Sequence, residues 1–506
     1  MCTVNDSMDK LLNVSKIAGS GVQKNNIIYR KIFYECCNWI DSTNKNFLVL
    51  TGPRKCGKTV CFKQLAKKYE TAHYYNFKRM KSDDERERIF EEEILTATEG
   101  IFLLDEITHL FSYMSQLTAL DNSVVDNLVN NVRDTRKFII TGSHSYAIQN
   151  AAMIALATNA TYLQTSFVDF EEWLLWRGHI SKYGQEYKPT TLDFKDYVCN
   201  SNLFTTIYNN ASYIKSCLDE TVICELNLHS AISGVAPSDL ISAETVVSIL
   251  YSFLMKLHNK ASINTLQDPI GGIKGARNSN DVIRKQVKQS ELEIRVKEVF
   301  EKLNFNKVPI KFDAIRTAII ILQQLDLITI TIPVDDPNNK AMVNYSLYDI
   351  TRVANTRSLL SKCNICVKHP MFYANMIKEL VPEVGDNYYN VIDQTILGSI
   401  LECHMKGLLS YKLGSDILFS YEYRVDNIQG EIDLIDFYEQ SAYEFTVSSR
   451  HTLNHLNRLN DDWNRILISG QEEERFENSI YYEYYPNAVL KLSRGNFVKR
   501  LEKLRW

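Results

Sequence analysis

Apolar residues in the first third of the chain cluster in short unbroken runs separated by polar, helix-compatible stretches. Residues 46–51 (Asn-Phe-Leu-Val-Leu-Thr), His73–Phe77, Ile101–Asp105, Phe138–Thr141 and Thr161–Leu163 each predict a buried strand. A helix starting near Lys58 and stretches at Asp83–Leu95 and Asn122–Val132 predict helices between them. Strands with no polar alternation, alternating with helices, predict a parallel α/β sheet covered on both faces.

Past that region the period changes. From about Phe167 to Leu257 apolar residues recur every three or four positions, which predicts mainly helix. The stretch Gln267–Ser279, with Pro269, Gly271, Gly272 and Gly275, reads as a linker. Amphipathic helices at Glu291–Leu303 and Phe312–Leu325 precede strands at Ile328–Pro333 and Asn344–Tyr348, joined by a turn over Asp335–Lys340. That order suggests a winged-helix-like module. A helix at Gln394–Leu413, strands at Ser420–Arg424, Glu431–Asp436 and Ala442–Val447, a helix near Leu453–Trp463, and strands near Ile466–Ile468 and Ile480–Tyr485 then predict a second α/β unit. The expected domains are 1–165, 166–266, 280–380 and 388–506.

Composition narrows the classes. With 45% hydrophobic and 23% charged residues the chain is globular in profile, and 506 residues suffice for several cores. A formal net charge of −4 gives no overall attraction to DNA or anionic lipid. Met1–Lys10 is polar and lacks a signal-type apolar core, and the apolar stretches at Val246–Leu257 and Thr317–Ile332 are interrupted. The expectation is a cytoplasmic protein with no membrane partner. Eleven cysteines are too sparse for a disulfide framework. Cys363-x-x-Cys366-x-x-His369 looks like half a zinc site, but no second pair at matching spacing follows, so unliganded thiols are expected.

The chemistry concentrates after the first strand. Gly52-Pro53-Arg54-Lys55-Cys56-Gly57-Lys58-Thr59 is an unbroken G-x-x-x-x-G-K-[ST] match. Glycines at its two ends let backbone N–H groups wrap phosphate oxygens at the head of the following helix. Lys58 is placed to meet the β- and γ-phosphates, and the Thr59 hydroxyl to bind Mg²⁺. The run Ile101–Leu104 delivers Asp105 and Glu106 to the edge of the sheet where ligands bind. Asp105 suits the Mg²⁺ shell and Glu106 the attacking water. The strand Phe138–Thr141 ends in Gly142-Ser143-His144-Ser145, where Ser143, with Thr141 behind it, is placed to sense a γ-phosphate. No arginine finger can be assigned. Arg133 and Arg136, before that strand, read as solvated helix-end cations.

These elements resemble the AAA-type ATPases of prokaryotes that carry a C-terminal domain of unknown function. The resemblance rests on Phe47–Thr59, on Phe138–Ser145, and on Ser166-Phe-Val-Asp-Phe-Glu-Glu-Trp173. It continues through Leu397–Glu402, Tyr423–Asp433 and Glu444–Thr446, where the hairpin is similar to the PD-(D/E)XK nuclease type. The implied fold is a P-loop NTPase parallel sheet, then a helical and winged-helix-like region, then a C-terminal nuclease-like α/β domain. The resemblance also implies a metal-binding set of Glu402, Asp433 and Glu444. A lysine belongs two residues after Glu444, and Thr446 stands there, so a vestigial site without cleavage is expected. Arg450 is the nearest basic residue in sequence.

The leading expectation is therefore an ATP-binding, Mg²⁺-dependent ATPase whose nucleotide state controls the appended domains, acting on DNA or on a protein client. Lys302, Lys307, Lys311 and Arg316 supply basic residues for DNA contact, though acids are interspersed. A homo-oligomer is compatible with the sequence. The alternatives are a non-hydrolysing nucleotide switch and an ATP-controlled DNA nuclease.

Overall fold

The computed structural model describes residues 29–53, 56–107, 109–110, 135–142, 160–201, 319, 322, 327–334, 363–372, 394–413, 417–425, 428–448 and 455–503. Strands β1 (Phe47–Thr51), β2 (Ala72–Asn76), β3 (Gly100–Asp105), β4 (Arg136–Thr141) and β5 (Ala160–Gln164) make one sheet, ordered β2-β3-β4-β1-β5. All its pairings are parallel, so the C-terminal ends of β1, β3 and β4 share one edge. Each expected strand of this sheet is present, with ends shifted by a residue or two.

Both faces are buried, which is why the runs are continuously apolar. Phe47, Val49, Phe102, Leu104, Phe138 and Ile140 pack with Phe77, Phe90 and Ile94. The intervening Leu48, Leu50, Ile101, Leu103 and Ile139 pack with Ile32, Cys36, Phe62 and Leu65. The second set of partners lies on helices α1 (Lys31–Ser42) and α2 (Lys58–Lys68). Helix α1 is an element the apolar pattern did not announce. The helix expected over Asp83–Leu95 forms as α3 (Asp83–Arg88), continued by wider π turns over Ile89–Ile94. Ser82 caps α3 by accepting from the Glu85 amide at 3.2 Å.

Arg136 departs from expectation. It is 1% exposed, its guanidinium sits 5.1 Å from the Phe102 ring and 4.9 Å from that of Phe138, and it donates to the Ile94 carbonyl. A planar, weakly hydrated cation can be buried on aromatic faces where a solvated helix-end charge was expected. Arg133 and the helix expected at Asn122–Val132 lie outside the described residues.

A second sheet of eight strands follows the order β12-β13-β11-β10-β9-β8-β6-β7. Its members are β6 (Ile328–Val334), β7 (Asn364–Val367), β8 (Ile417–Val425), β9 (Ile428–Asp436), β10 (Ser441–Phe445), β11 (Asn464–Ser469), β12 (Arg475–Glu477) and β13 (Ile480–Tyr484). Strand β6, expected in a winged-helix-like hairpin, instead pairs in parallel with β8 and antiparallel with β7. Its expected partner at 344–348, the helix at 291–303 and the linker at 267–279 lie outside the described residues. Of the helix expected at 312–325 only the helical, buried Ile319 and Leu322 are described.

Helices α4 (Phe170–Trp176), α5 (Thr191–Asn200), α6 (Gln394–Leu413) and α7 (Tyr485–Lys503) complete this unit. Residues of α4 and α5 share one apolar cluster with α6, α7 and the second sheet, so the chain leaves the first sheet and enters the second core at once. In α7, buried Tyr485, Ala488, Val489, Ser493 and Asn496 recur at helical spacing. Among the described residues no helix is long and apolar enough to cross a membrane.

Candidate nucleotide site

The loop after β1 is shaped by its two terminal glycines. Gly52 has φ +143°, and a Cβ there would lie 2.3 Å from the Thr165 carbonyl oxygen, closer than any side chain tolerates. Gly57 has φ +93° and starts α2 from the left-handed region, which a residue with a Cβ rarely adopts. Lys58 is 8% exposed, and its ammonium donates to the carbonyls of Gly52 at 2.7 Å and Pro53 at 2.9 Å and lies 3.7 Å from Cys56 Sγ. One cation thus ties both limbs of the loop together. Arg54 and Lys55 lie outside the described residues.

Asp105 ends β3, is 1% exposed, and accepts from Tyr74 Oη at 2.9 Å and Asn76 Nδ2 at 2.8 Å, both from β2. Burial raises its pKa above the ordinary carboxylate value; a hydrogen bond from Thr59 opposes this, the neighbouring Glu106 adds to it, and Tyr74 and Lys58 oppose it. The Thr59 hydroxyl and Asp105, paired on sequence grounds as magnesium ligands, are therefore neighbours at this edge of the sheet. Glu106 follows with φ +55°, uncommon for a residue with a side chain, and the Ile107 amide donates to the Thr141 carbonyl at 3.1 Å. That bond fixes the acidic turn to the end of β4. Thr141 is fully buried and its hydroxyl makes no hydrogen bond among the described residues. Ser143, preferred on sequence grounds, lies outside them.

The loop is braced from behind by residues that motif matching passed over. Arg30 donates to the Cys56 carbonyl, to Glu172 Oε2 at 2.7 Å, and to the Ser166 and Phe167 carbonyls at 3.1 and 3.0 Å. Glu172 closes a capping box with Asp169 at the start of α4 and also accepts from the Lys31 amide at 2.8 Å. Lys31 Nζ reaches Asp169 at 2.7 Å and Glu171 at 2.8 Å, and Arg494 of α7 meets Glu171 at 2.7 Å. The sequence signal was Arg30-Lys31 at a helix start with no acid in the first turn. Two cations at the positive end of a helix dipole require carboxylates from elsewhere.

In the second unit, Glu402 of α6 and Glu444 of β10 act electrostatically on Asp433 of β9, but no group of three or more His, Cys, Asp or Glu among the described residues is arranged to hold a metal ion. Asp433 is half-buried, accepts from the Phe445 amide at 2.8 Å, and has its pKa held well above the usual range by desolvation, then by Glu444 and Glu402. Thr446 cannot supply a charge, and its hydroxyl accepts from the Ser448 amide at 3.1 Å. Lys406, one turn further along α6, lies 2.6 Å from Glu402. Arg450, the basic residue nearest in sequence, lies outside the described residues. Of the half-zinc motif, Cys363 and Cys366 are buried and form no disulfide among the described residues, and His369 Nε2 lies 2.8 Å from the Val168 carbonyl.

A five-stranded parallel sheet with a glycine loop at one strand end and a buried aspartate at a second strand end on the same edge fits the P-loop nucleoside triphosphatase fold. The sequence model of the AAA domain family matches residues 44–174, which cover this sheet and the start of α4, and supports an ATP-binding, AAA-type P-loop ATPase domain. No curated protein matches the chain. Among solved structures it is similar to one titled "Structure of the Aeropyrum Pernix ORC2 protein (ADP form)", at 10% identity, over 76% of this chain and 97% of that one. The TM-score is 0.25, too low for that likeness to bear on fold or ligand.

Proposed function

We propose that this protein is a Mg²⁺-dependent ATPase whose nucleotide state is passed to the C-terminal unit. The observation that carries the reading is a buried Asp105 at the end of one strand, with Thr59 as its neighbour, on the same sheet edge as a glycine loop closed by Lys58. Gly52, Pro53, Arg54, Lys55, Cys56 and Gly57 would cradle the phosphates of ATP, Lys58 would trade its bonds to loop carbonyls for phosphate oxygens, and Thr59 with Asp105 would hold Mg²⁺. Bound magnesium would neutralise charge on the phosphates. Glu106, on the turn fastened to Thr141, takes the role of orienting and deprotonating water. Ser143 and the buried hydroxyl of Thr141 are the groups assigned to reading the γ-phosphate.

Transmission to the second unit follows the polar chain from the Cys56 carbonyl through Arg30 and Glu172 to α4, and from Lys31 through Glu171 to Arg494 of α7. Tightening the loop on phosphate shifts the carbonyl that Arg30 holds. The client, DNA or protein, is the target of that movement. The Glu402, Asp433 and Glu444 cluster is assigned no cleavage.

Phosphate release under multiple turnover tests the reading. Lys58→Ala abolishes ATP binding, while Glu106→Gln retains binding and loses turnover. A Glu106→Gln protein hydrolysing at the parent rate would remove Glu106 from its role, and wild-type protein that binds Mg-ATP without releasing phosphate would make this a nucleotide switch.

A further inference from the structure

Among the described residues the second sheet ends in β7 on one side and in β12 on the other. All four residues of β7 are buried, whereas all three residues of β12 are exposed. Phe476, at the centre of β12, is 75% exposed. The strand is nonetheless held in place. Asn478 and Ser479, with φ +51° and +62°, form the two-residue turn that joins it to β13. Glu474, just before it, accepts from Tyr481 Oη at 3.0 Å and from Asn487 Nδ2 and Lys491 Nζ of α7 at 3.1 Å each. The register pairs Arg475 with Tyr482, Phe476 with Tyr481 and Glu477 with Ile480. Residues flanking a two-residue turn exchange both backbone bonds, and the next pair exchanges none. The Phe476 amide and carbonyl therefore point away from β13, along the open edge.

We infer that β12 is a self-pairing edge, through which two copies of this chain join their second sheets across a two-fold axis. Antiparallel pairing centred on Phe476 sets it opposite its counterpart and lets the two exchange both outward backbone bonds. The same register places Arg475 of one copy opposite Glu477 of the other, twice by symmetry. Arg475 and Glu477 project from one face of the strand, and within a single chain they already pair at 3.0 Å. An edge carrying like charges at these positions would repel its own copy, whereas this one is complementary to itself. On the opposite face the two Phe476 rings come side by side, with the Tyr481 rings as their outer neighbours, which covers apolar surface that a lone chain leaves in water. This charge complementarity is the reason the occupant is a second copy rather than an unrelated strand. Three residues a side make a small interface, so the association is weak and concentration-dependent. All of these residues belong to the second unit, and the inference stands independently of the ATPase reading.

The test is sedimentation velocity of nucleotide-free, full-length protein over a concentration series. Wild-type protein should pass from monomer to dimer as concentration rises. Arg475→Glu and Glu477→Arg should each weaken dimerisation about tenfold or more, because each sets like charges opposite at both symmetry-related positions. An equimolar mixture of the two single variants should dimerise as wild type does, since it restores opposite charges across the axis. Wild-type protein that stays monomeric would overturn the inference. So would a dimer indifferent to the single substitutions, or a mixture that fails to recover. Unfolding temperatures check that each variant is folded. Should a single variant unfold, Phe476→Asp still decides, because it sets two carboxylates against each other at the axis and must abolish the dimer.

Discussion

Arg30 and Glu172 stand 142 residues apart in sequence, yet guanidinium and carboxylate meet at 2.7 Å directly behind the phosphate loop. The pair is nearly dry, with side chains 12% and 2% exposed. Arg30 spends a further donor on the Cys56 carbonyl, so loop shape and the start of α4 are set by one side chain.

Removing one partner of such a pair strands the other. Arg30→Met or Glu172→Gln should each destabilise by about 3–5 kcal/mol. Their combination should cost less than the sum, as a double-mutant cycle in urea would register. Arg30→Met should also weaken ATP binding, whereas Glu172→Gln should do so less, because the Cys56 contact survives.

Gly52→Ala should abolish nucleotide binding and lower stability by about 1–3 kcal/mol, since the new methyl meets backbone that cannot yield. Gly495→Ala is the control. No atom lies within 4 Å of a Cβ built there inside α7. It should raise stability by about 0.5–1 kcal/mol in the same unfolding titration.

Asp105→Asn should separate function from stability. Because burial raises the folded pKa of this carboxyl, the native state keeps its proton to higher pH than the unfolded chain does. Its contribution is present in acid and declines as pH rises from the ordinary value of 3.8 through the folded one. The asparagine variant lacks that decline, so its stability relative to wild type should increase with pH over this window while Mg-ATP binding is lost.

Two histidines at the junction of the units should give the opposite slope. Burial pushes His369 from 6.5 down to about 3 and His404 down to about 4. Unfolded imidazoles take up protons below 6.5 while the folded ones refuse them. Their stabilising contribution is complete above that pH and is lost as pH falls toward 3. Replacing both by glutamine should flatten the acid limb of an unfolding series run from pH 7.5 to pH 4. It should also cost about 1–2 kcal/mol at neutral pH for the bond to the Val168 carbonyl.

Much of the nucleotide-binding unit was readable from the chain because its signals are local. A strand buried on both faces must be apolar throughout, and a loop that wraps phosphate must carry glycine at positions such as 52 and 57 and lysine at 58. Those requirements hold within a few residues of sequence. Helix α6 was equally legible, since its apolar period runs through a single segment.

What escaped were partners separated by long stretches of chain. The pattern at Ile328–Pro333 announces a strand, but nothing local says it will pair with Ile417–Val425 rather than with the next apolar run. Arg136 reads as a solvated charge until Phe102 and Phe138 are laid beside it. The sequence by itself determined the two strand-forming units, the phosphate loop and its acidic counterpart, because backbone conformation and burial period are properties of neighbours in the chain. Only the tertiary structure decided which charges neutralise which. Coulomb attraction and desolvation depend on distance in space, and the chain reveals that distance only once it is folded.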